Sequence, residues 1–378
     1  MGGENGLPII ARMPIPAPLP AWSADAVERL ALELGGAVTV DAWGPAIAVG
    51  ADSVPDGPFA APLSDLGLLS VTGEQAAAFL HAQLTNDVEH LALGTARWAG
   101  YCTAKGRLLS TFRYWRDASS ILLTVSRPLA QPLAKRLSMY VMRTKAKVAD
   151  ASDAQVLFGL CGEPAATAAA QALGLVVPSA DAAASGEGTH LVGLPPMPAE
   201  AGAPARPRWL LAVPAAQAGS AWRAIVAAAA PVSGAAWRRT EVLAGIPRIV
   251  PGTSELFVPQ MLNFESVDGV NFRKGCYPGQ EIVARSQYLG KLKRRMFAAH
   301  GDGLPPEPGS DVLPAGSDVL PAVGGEPCGQ VVLAAPDGAG GFDLLFESQV
   351  AAVDAGPVLA GDRLLVPRAL PYPLRAID

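Results

Sequence analysis

KGCYPGQE, the run from Lys274 to Glu281, is the densest stretch of chemistry in the chain, and the fold is read outward from it. Pro278 suits position i+1 and Gly279 position i+2 of a type II turn. Gln280-Glu281-Ile282-Val283-Ala284-Arg285 then reads as a helix start, with Glu281 in the first turn, where the backbone dipole favours an acid. Cys276 therefore falls just before a turn at a helix N-terminus, beside Arg273 and Lys274, a setting that favours a reactive thiol. The same spacing equally suits a small buried Cys276 with Lys274 capping a carbonyl. Both readings stand at this point.

Charge is unevenly spread around that run. The chain has 29 basic and 34 acidic residues, a net charge of −5, which argues against a general nucleic-acid binder. Yet Arg273, Lys274, Arg285, Lys291, Lys293, Arg294 and Arg295 crowd one window, opposed only by Glu281. Such an island can attract an anionic ligand whatever the total charge. It can equally be a solvated basic surface.

At 378 residues the chain suggests two or three domains, each able to bury a core. Half the residues are hydrophobic and 17% are charged, which excludes wholesale disorder. The longest stretch without charge, between Glu163 and Asp181, contains Pro164 and Pro178, so no transmembrane helix is expected. The N-terminal residues lack a basic region ahead of an apolar run and do not read as a signal peptide. Four cysteines without C-x-x-C pairing point to a reducing, cytoplasmic setting.

Residues 1–20 read as a Pro-rich tail, and DAVERLALEL as a short helix ending at Gly35-Gly36. Thr72-Gly73-Glu74-Gln75 reads as a capping box opening a helix through about Leu84, which stops at Thr85-Asn86-Asp87. RLLSTFRYW and SILLTVS suggest a hairpin, and Pro128 to Met142 a helix with Pro132 near its first turn. Residues 151–235 alternate strand and helix, an α+β unit of ferredoxin-like size, with a Pro/Ala linker or loop from Leu194 to Arg208. Residues 236–295 carry the KGCYPGQE run. From 296 to 378 short strand candidates recur (MFAAH, QVVLAA, FDLLF, AAV, RLLVP), which reads as a small β-barrel. Within it Gly309 to Ala315 is repeated identically as Gly316 to Ala322, read as a duplicated extended loop.

Several chemistries find no motif. His81, His90, His190 and His300 read as scattered, no zinc spacing is evident, and no metal is expected. No G-x-x-x-x-G-K-[ST] loop, G-x-S-x-G elbow or strand-borne G-x-G-x-x-G occurs.

KGCYPGQEIVAR strongly resembles the K-G-C-Y-x-G-Q-E signature of the YgfZ family, which is similar to the folate-binding T-protein of the glycine cleavage system. LHAQLTNDV (Leu80 to Val88), AKGRLL (Ala104 to Leu109), AGIPRI (Ala244 to Ile249) and VARSQYLGKLKRR resemble further family segments, in the family's order. The resemblance implies a T-protein-like α+β cloverleaf of ferredoxin-like lobes around a central folate-type pocket, plus a C-terminal β-barrel. Residues 21–150 would form the first α+β part, 151–235 the second lobe, and 236–295 the segment returning to the pocket.

The function implied is assembly or repair of iron–sulfur clusters in client proteins, with tetrahydrofolate or a derivative as ligand and an indirect link to tRNA modification. Cys276 would be the functional thiol. Asn86, Asp87, Lys105, Arg107, Lys274, Tyr277, Gln280, Glu281 and Arg285 would hold the folate around one cavity, with Arg107, Lys274 and Arg285 near its mouth. Iron–sulfur client or assembly proteins are the partners expected, with no membrane and no direct nucleic acid. Two departures bear on activity. The strand matching the one that carries a catalytic Asp in T-proteins reads Gly-Arg-Leu-Leu-Ser-Thr (Gly106 to Thr111), and Arg208 to Val213 holds no acid where T-proteins hold the pterin with Glu. An aminomethyltransferase and a non-catalytic scaffold with a vestigial pocket are the alternatives.

Overall fold

Two sheets lie back to back at the centre, the first antiparallel and the second antiparallel except for one parallel edge pair. The computed structural model describes residues 24–41, 44–198, 204–288, 292–315 and 326–375. The first sheet has five strands in the order Ala96–Cys102, Leu108–Arg116, Ser120–Ser126, Leu66–Thr72 and Lys147–Asp150. The expected hairpin is its middle, closed where Asp117 N donates to Ser120 O at 3.0 Å. Helices Ala76–His81 and Arg127–Val141 cover one face, burying Phe79, Leu80, Leu133 and Leu137 against Leu69, Phe112 and Leu123.

Two local expectations fail here. The helix after Gly73 begins at Ala76 and ends at His81, without a side-chain cap. Glu74 and Gln75 are drawn away to Lys145: the Lys145 ammonium lies 2.9 Å from Glu74 and its N–H donates to Gln75 Oε1 at 2.8 Å. Pro132 lies in the second turn of its helix, not the first, and Pro128 takes the first-turn position instead.

The second sheet has six strands, ordered Ala183–Gly186, Thr189–Met197, Arg206–Pro214, Gln155–Cys161, Phe59–Pro62 and Ala230–Pro231. Helices Ala24–Glu33, Glu163–Leu173 and Ala218–Val226 pack on it through small side chains such as Ala165, Ala169 and Ala221, around Phe158 and Trp222 stacked at 5.2 Å. Phe59–Pro62 precedes residue 66 in sequence, yet it pairs with Gln155–Cys161 and belongs to this second sheet. Where it is described, the Leu194 to Arg208 segment is mostly strand rather than loop, because Leu194 pairs with Arg208 and Met197 with Arg206. Phe59, Leu68, Trp115, Leu157, Leu210 and Trp237 fill the layer between the sheets.

The barrel closes as Arg294–Asp302, Gly341–Gln349, Gly329–Pro336, Asp311–Pro314, Val358–Ala360 and Arg363–Arg368. The AAV run is not a strand. It lies in helix Val350–Ala355, as its alanines favour. The first copy of the repeated heptad supplies the barrel strand Asp311–Pro314 rather than a loop. The second copy, like the N-terminal tail, lies outside the described residues.

Asp65 joins the parts. Its buried carboxylate lies 2.7 Å from Arg248 and 3.3 Å from Arg238. Burial pushes that carboxyl up, but the two guanidinium groups outweigh it and hold it below the ordinary range. Arg294 and Arg295, counted in the basic island, are neutralised by Glu347 and Glu265. Among the described residues no helix is long and apolar enough to cross a membrane.

Candidate functional site

The signature segment folds as its residues dictate. Gln280 N donates to Tyr277 O at 3.2 Å and Gly279 has φ +80°, so Pro278-Gly279 is the central pair of the expected turn. Helix Gln280–Tyr288 follows, with Glu281 in its first turn. The turn rests on a second one, Thr103 to Arg107, where Gly106 has φ +71°. Lys274 reaches into the C-terminal end of helix Ala76–His81. Its ammonium donates to His81 O and, at 2.7 Å, to Leu84 O, and lies 4.8 Å from the centre of the buried Tyr277 ring. Capping of carbonyls by Lys274 is thus realised. Burial lowers its pKa to about 8, against the opposing pull of Asp87 and Cys276.

Thr85 and Asn86 fasten the next segment. Thr85 Oγ1 donates to Gly269 O at 2.6 Å and accepts from Gly100 N at 2.7 Å, while Asn271 N donates to Thr85 O. Asn86 Nδ2 donates to Trp98 O at 2.8 Å and Asp268 O at 2.6 Å, and its Oδ1 accepts from Asp87 N. Asn86 therefore holds a wall together, with its polar atoms already used.

That wall belongs to a cavity of about 1230 Å³ between the first sheet, the second sheet and the segment Ser266 to Arg273. Of the nine residues expected around one cavity, only Asn86 lines it. Its cations are Arg97, Arg113, Arg273 and Arg375, not Arg107, Lys274 or Arg285. Arg107 is exposed and turned to Leu256 O. Lys105, Glu281 and Arg285 are exposed elsewhere, and Gln280 Nε2 donates to Lys274 O within its own loop. The three expected segments do pack on one another, but beside the cavity rather than around it.

Arg113 dominates the cavity floor. It is 2% exposed, and its Nη2 donates to Asp181 Oδ1 at 2.7 Å and Gly193 O at 2.8 Å. Its guanidinium lies over the Trp98 ring at 5.1 Å. Arg113 Nε and Nη1 and Trp98 Nε1 are buried donors without protein partners. The cavity's two carboxylates, Asp181 and Asp268, are engaged by Arg113 and Arg375.

Cys276 is exposed, whereas Cys102, Cys161 and Cys328 are buried. A buried Cys276 is thereby excluded. Beyond the loop stands a group the sequence reading passed over. His81 Nδ1 lies 3.0 Å from Asp87 Oδ1, and His90 Nδ1 3.0 Å from Asp87 Oδ2. Burial raises the Asp87 carboxyl, but the His90 N–H, the His90 ring and the His81 charge outweigh it and hold it low. His81 and His90 are therefore not unaccompanied. The H-x₅-D-x₂-H spacing was the available signal. For Arg113 the signal was a charge inside the apolar strand STFRYW.

This α+β pair of sheets with a terminal barrel is the T-protein fold. The chain superposes with a TM-score of 0.66 on the glycine cleavage system aminomethyltransferase T from Bartonella henselae, over 93% of this chain and 99% of that one, at 17% identity. No family model matches the chain. Among curated proteins it is 33% identical over 248 residues to the tRNA-modifying protein YgfZ of Vibrio vulnificus strain CMCP6, covering 65% of this chain and 71% of that protein. The corresponding protein of Escherichia coli strain K12 is 31% identical over 66% of this chain and 74% of its own length. The chain belongs to the YgfZ family.

Proposed function

We propose that this chain binds tetrahydrofolate or a derivative in the arginine-lined cavity and assists assembly or repair of iron–sulfur clusters in client enzymes. Clients that modify tRNA give the link to the name its relatives bear. The observation that carries the reading is the buried Arg113–Trp98 pair, two residues that line a cavity large enough for such a ligand and hold three donors without protein partners. A pterin edge and a glutamate tail present the acceptors and carboxylates that these groups lack. One-carbon carriage on the reduced pterin is the chemistry such a ligand supplies.

The chain's own residues have distinct tasks. Trp98 offers an aromatic face and Arg113 fixes the ring edge. Arg97, Arg273 and Arg375 provide positive potential for the tail. Lys274, Tyr277 and the Pro278-Gly279 turn present Cys276 to solvent on a braced loop, where it can meet a client. Both cavity carboxylates being ion-paired gives no support to base-assisted aminomethyl transfer.

Titrating the purified protein with tetrahydrofolate, followed by intrinsic tryptophan fluorescence, tests the ligand. Saturable binding that Arg113→Met weakens supports it, and no binding leaves a scaffold. Comparing wild type with Cys276→Ala for the activity of an iron–sulfur tRNA-modifying enzyme in cells tests the role of the thiol. Methylene transfer to a lipoyl carrier protein would instead make the chain an aminomethyltransferase.

A further inference from the structure

We propose that His81, Asp87 and His90 form a binding site for a divalent first-row transition metal, with one coordination position open to solvent beside the Cys276 loop. The site is independent of folate and lies outside the arginine-lined cavity, whose wall takes none of the three residues.

The donor set is of the right kind and nearly in place. Two imidazole nitrogens and a carboxylate oxygen lie within 4.8 Å of one another. A tetrahedral zinc ion, about 2.0–2.2 Å from each donor, needs donors separated by roughly 3.4 Å. The Nδ1 atoms of both histidines already stand 3.0 Å from Asp87 oxygens. The T-shaped rings, with centroids 6.2 Å apart at 82°, leave the carboxylate between them. Small turns of the exposed His90 ring and of the Asp87 carboxylate open both pairs by the roughly 0.4 Å required. Imidazole with carboxylate suits zinc, cobalt and nickel better than magnesium or calcium.

Surrounding groups hold two of the three ligands. The Asp87 carbonyl accepts from Tyr114 Oη at 2.8 Å and Arg97 at 3.4 Å, and its N–H donates to Asn86 Oδ1. His81 ends a helix whose carbonyls Lys274 caps, and its side chain is 14% exposed. Supports of this kind orient metal ligands. His90, 75% exposed, completes the set at the solvent edge of the site, where water can fill the remaining position. His81 also connects the site to the signature loop. Its Nε2 is 3.6 Å from where a Cβ on Gly275 would stand. A metal on Nδ1 leaves the imidazole proton on Nε2, so the occupied site turns a hydrogen-bond donor toward the loop that carries Cys276.

The test is calorimetric titration of chelator-stripped full-length protein with Zn²⁺, and with Co²⁺ followed by its visible absorption. One ion per chain is expected. His81→Asn, Asp87→Asn and His90→Ala should each weaken binding tenfold or more. His300→Ala removes the other close histidine–carboxylate pair, with His300 Nδ1 3.1 Å from Asp343, and should change nothing. Cys276→Ala should bind within twofold of wild type, and the Co²⁺ spectrum should lack thiolate charge transfer. Because His90 is exposed, His90→Ala tests the site even if the His81 variant fails to fold. No saturable binding by wild type, unchanged binding by His90→Ala, or loss of binding in Cys276→Ala would each overturn the site.

Discussion

Gly106 and Gly279 meet backbone to backbone: a Cβ on Gly279 would lie 2.6 Å from both the nitrogen and the Cα of Gly106. Both have positive φ, where any other L-residue is strained. This contact seats the signature turn on the Thr103 to Arg107 turn. Gly279→Ala should therefore cost about 2–4 kcal/mol, from strain and from overpacking together. Denaturant unfolding measures it, and a cost below about 0.5 kcal/mol would show that the two turns part easily.

Cys276 should be the first of the four thiols to react. Cys102 is buried and pushed up to about 12, and burial also raises Cys161. Timed alkylation near neutral pH with peptide mapping should label Cys276 well before the other three. Cys276→Ala, at an exposed loop position, should change stability by less than about 0.5 kcal/mol. Equal labelling of Cys102 would contradict the arrangement.

Lys274 should titrate near 8 rather than near 10.5 in chelator-treated protein. The folded chain then releases this proton before the unfolded chain does. Between those values the unfolded state binds more protons, so the stability contribution rises with pH across that window. Below about 8 both states are protonated and the burial cost is fully present. Lys274→Met leaves two carbonyls without this donor and should destabilise by about 1–3 kcal/mol at pH 7. The wild-type advantage should widen from pH 8 to 10. NMR of isotopically methylated lysine reads the titration directly, and an ordinary value for Lys274 would refute it.

Folate binding, as proposed, should weaken as salt rises, because Arg273 and Arg375 act across partly hydrated space where screening extends over about 8–10 Å. Arg113, 2% exposed, should be screened far less. Arg113→Met should thus lower affinity at every ionic strength, whereas Arg273→Met should lose its effect at high salt. A salt slope unchanged in Arg273→Met would remove that residue from the binding surface.

Local chemistry was the part of the structure most readable from sequence. The Pro278-Gly279 turn, the helix after it and the Ser120 hairpin follow from residue types a few positions apart. What escaped depends on distant partners. Lys145 decides where helix Ala76–His81 starts, though Thr72 to Gln75 has the pattern of a cap. Asn86 matched a family segment, but only Asp268 and Trp98 reveal that its side chain is spent on holding a wall. Arg107 and Arg113 lie in one strand region with the same charge, and packing alone sends the first to a barrel-side carbonyl and the second into the cavity. The arginines Arg97, Arg273 and Arg375 converge from three segments far apart in sequence, which no spacing rule could assemble.

The placement of Phe59–Pro62 has a consequence for biosynthesis. Of its two hydrogen-bonded neighbours, Gln155–Cys161 and Ala230–Pro231, the first to be made is Gln155–Cys161, while the residues between, from Leu66 to Asp150, build the complete five-stranded sheet. About 90 residues must leave the ribosome before this strand finds its partner, some 5–20 seconds of translation at ordinary rates. During that interval the inner sheet can close on its own local pairings, whereas Phe59, Ala60 and Ala61, all fully buried in the finished protein, remain uncovered. The nascent chain thus carries an early, apolar, unpaired strand as the natural handle for a chaperone, and mutations there should lower the yield of folded protein more than they lower its final stability.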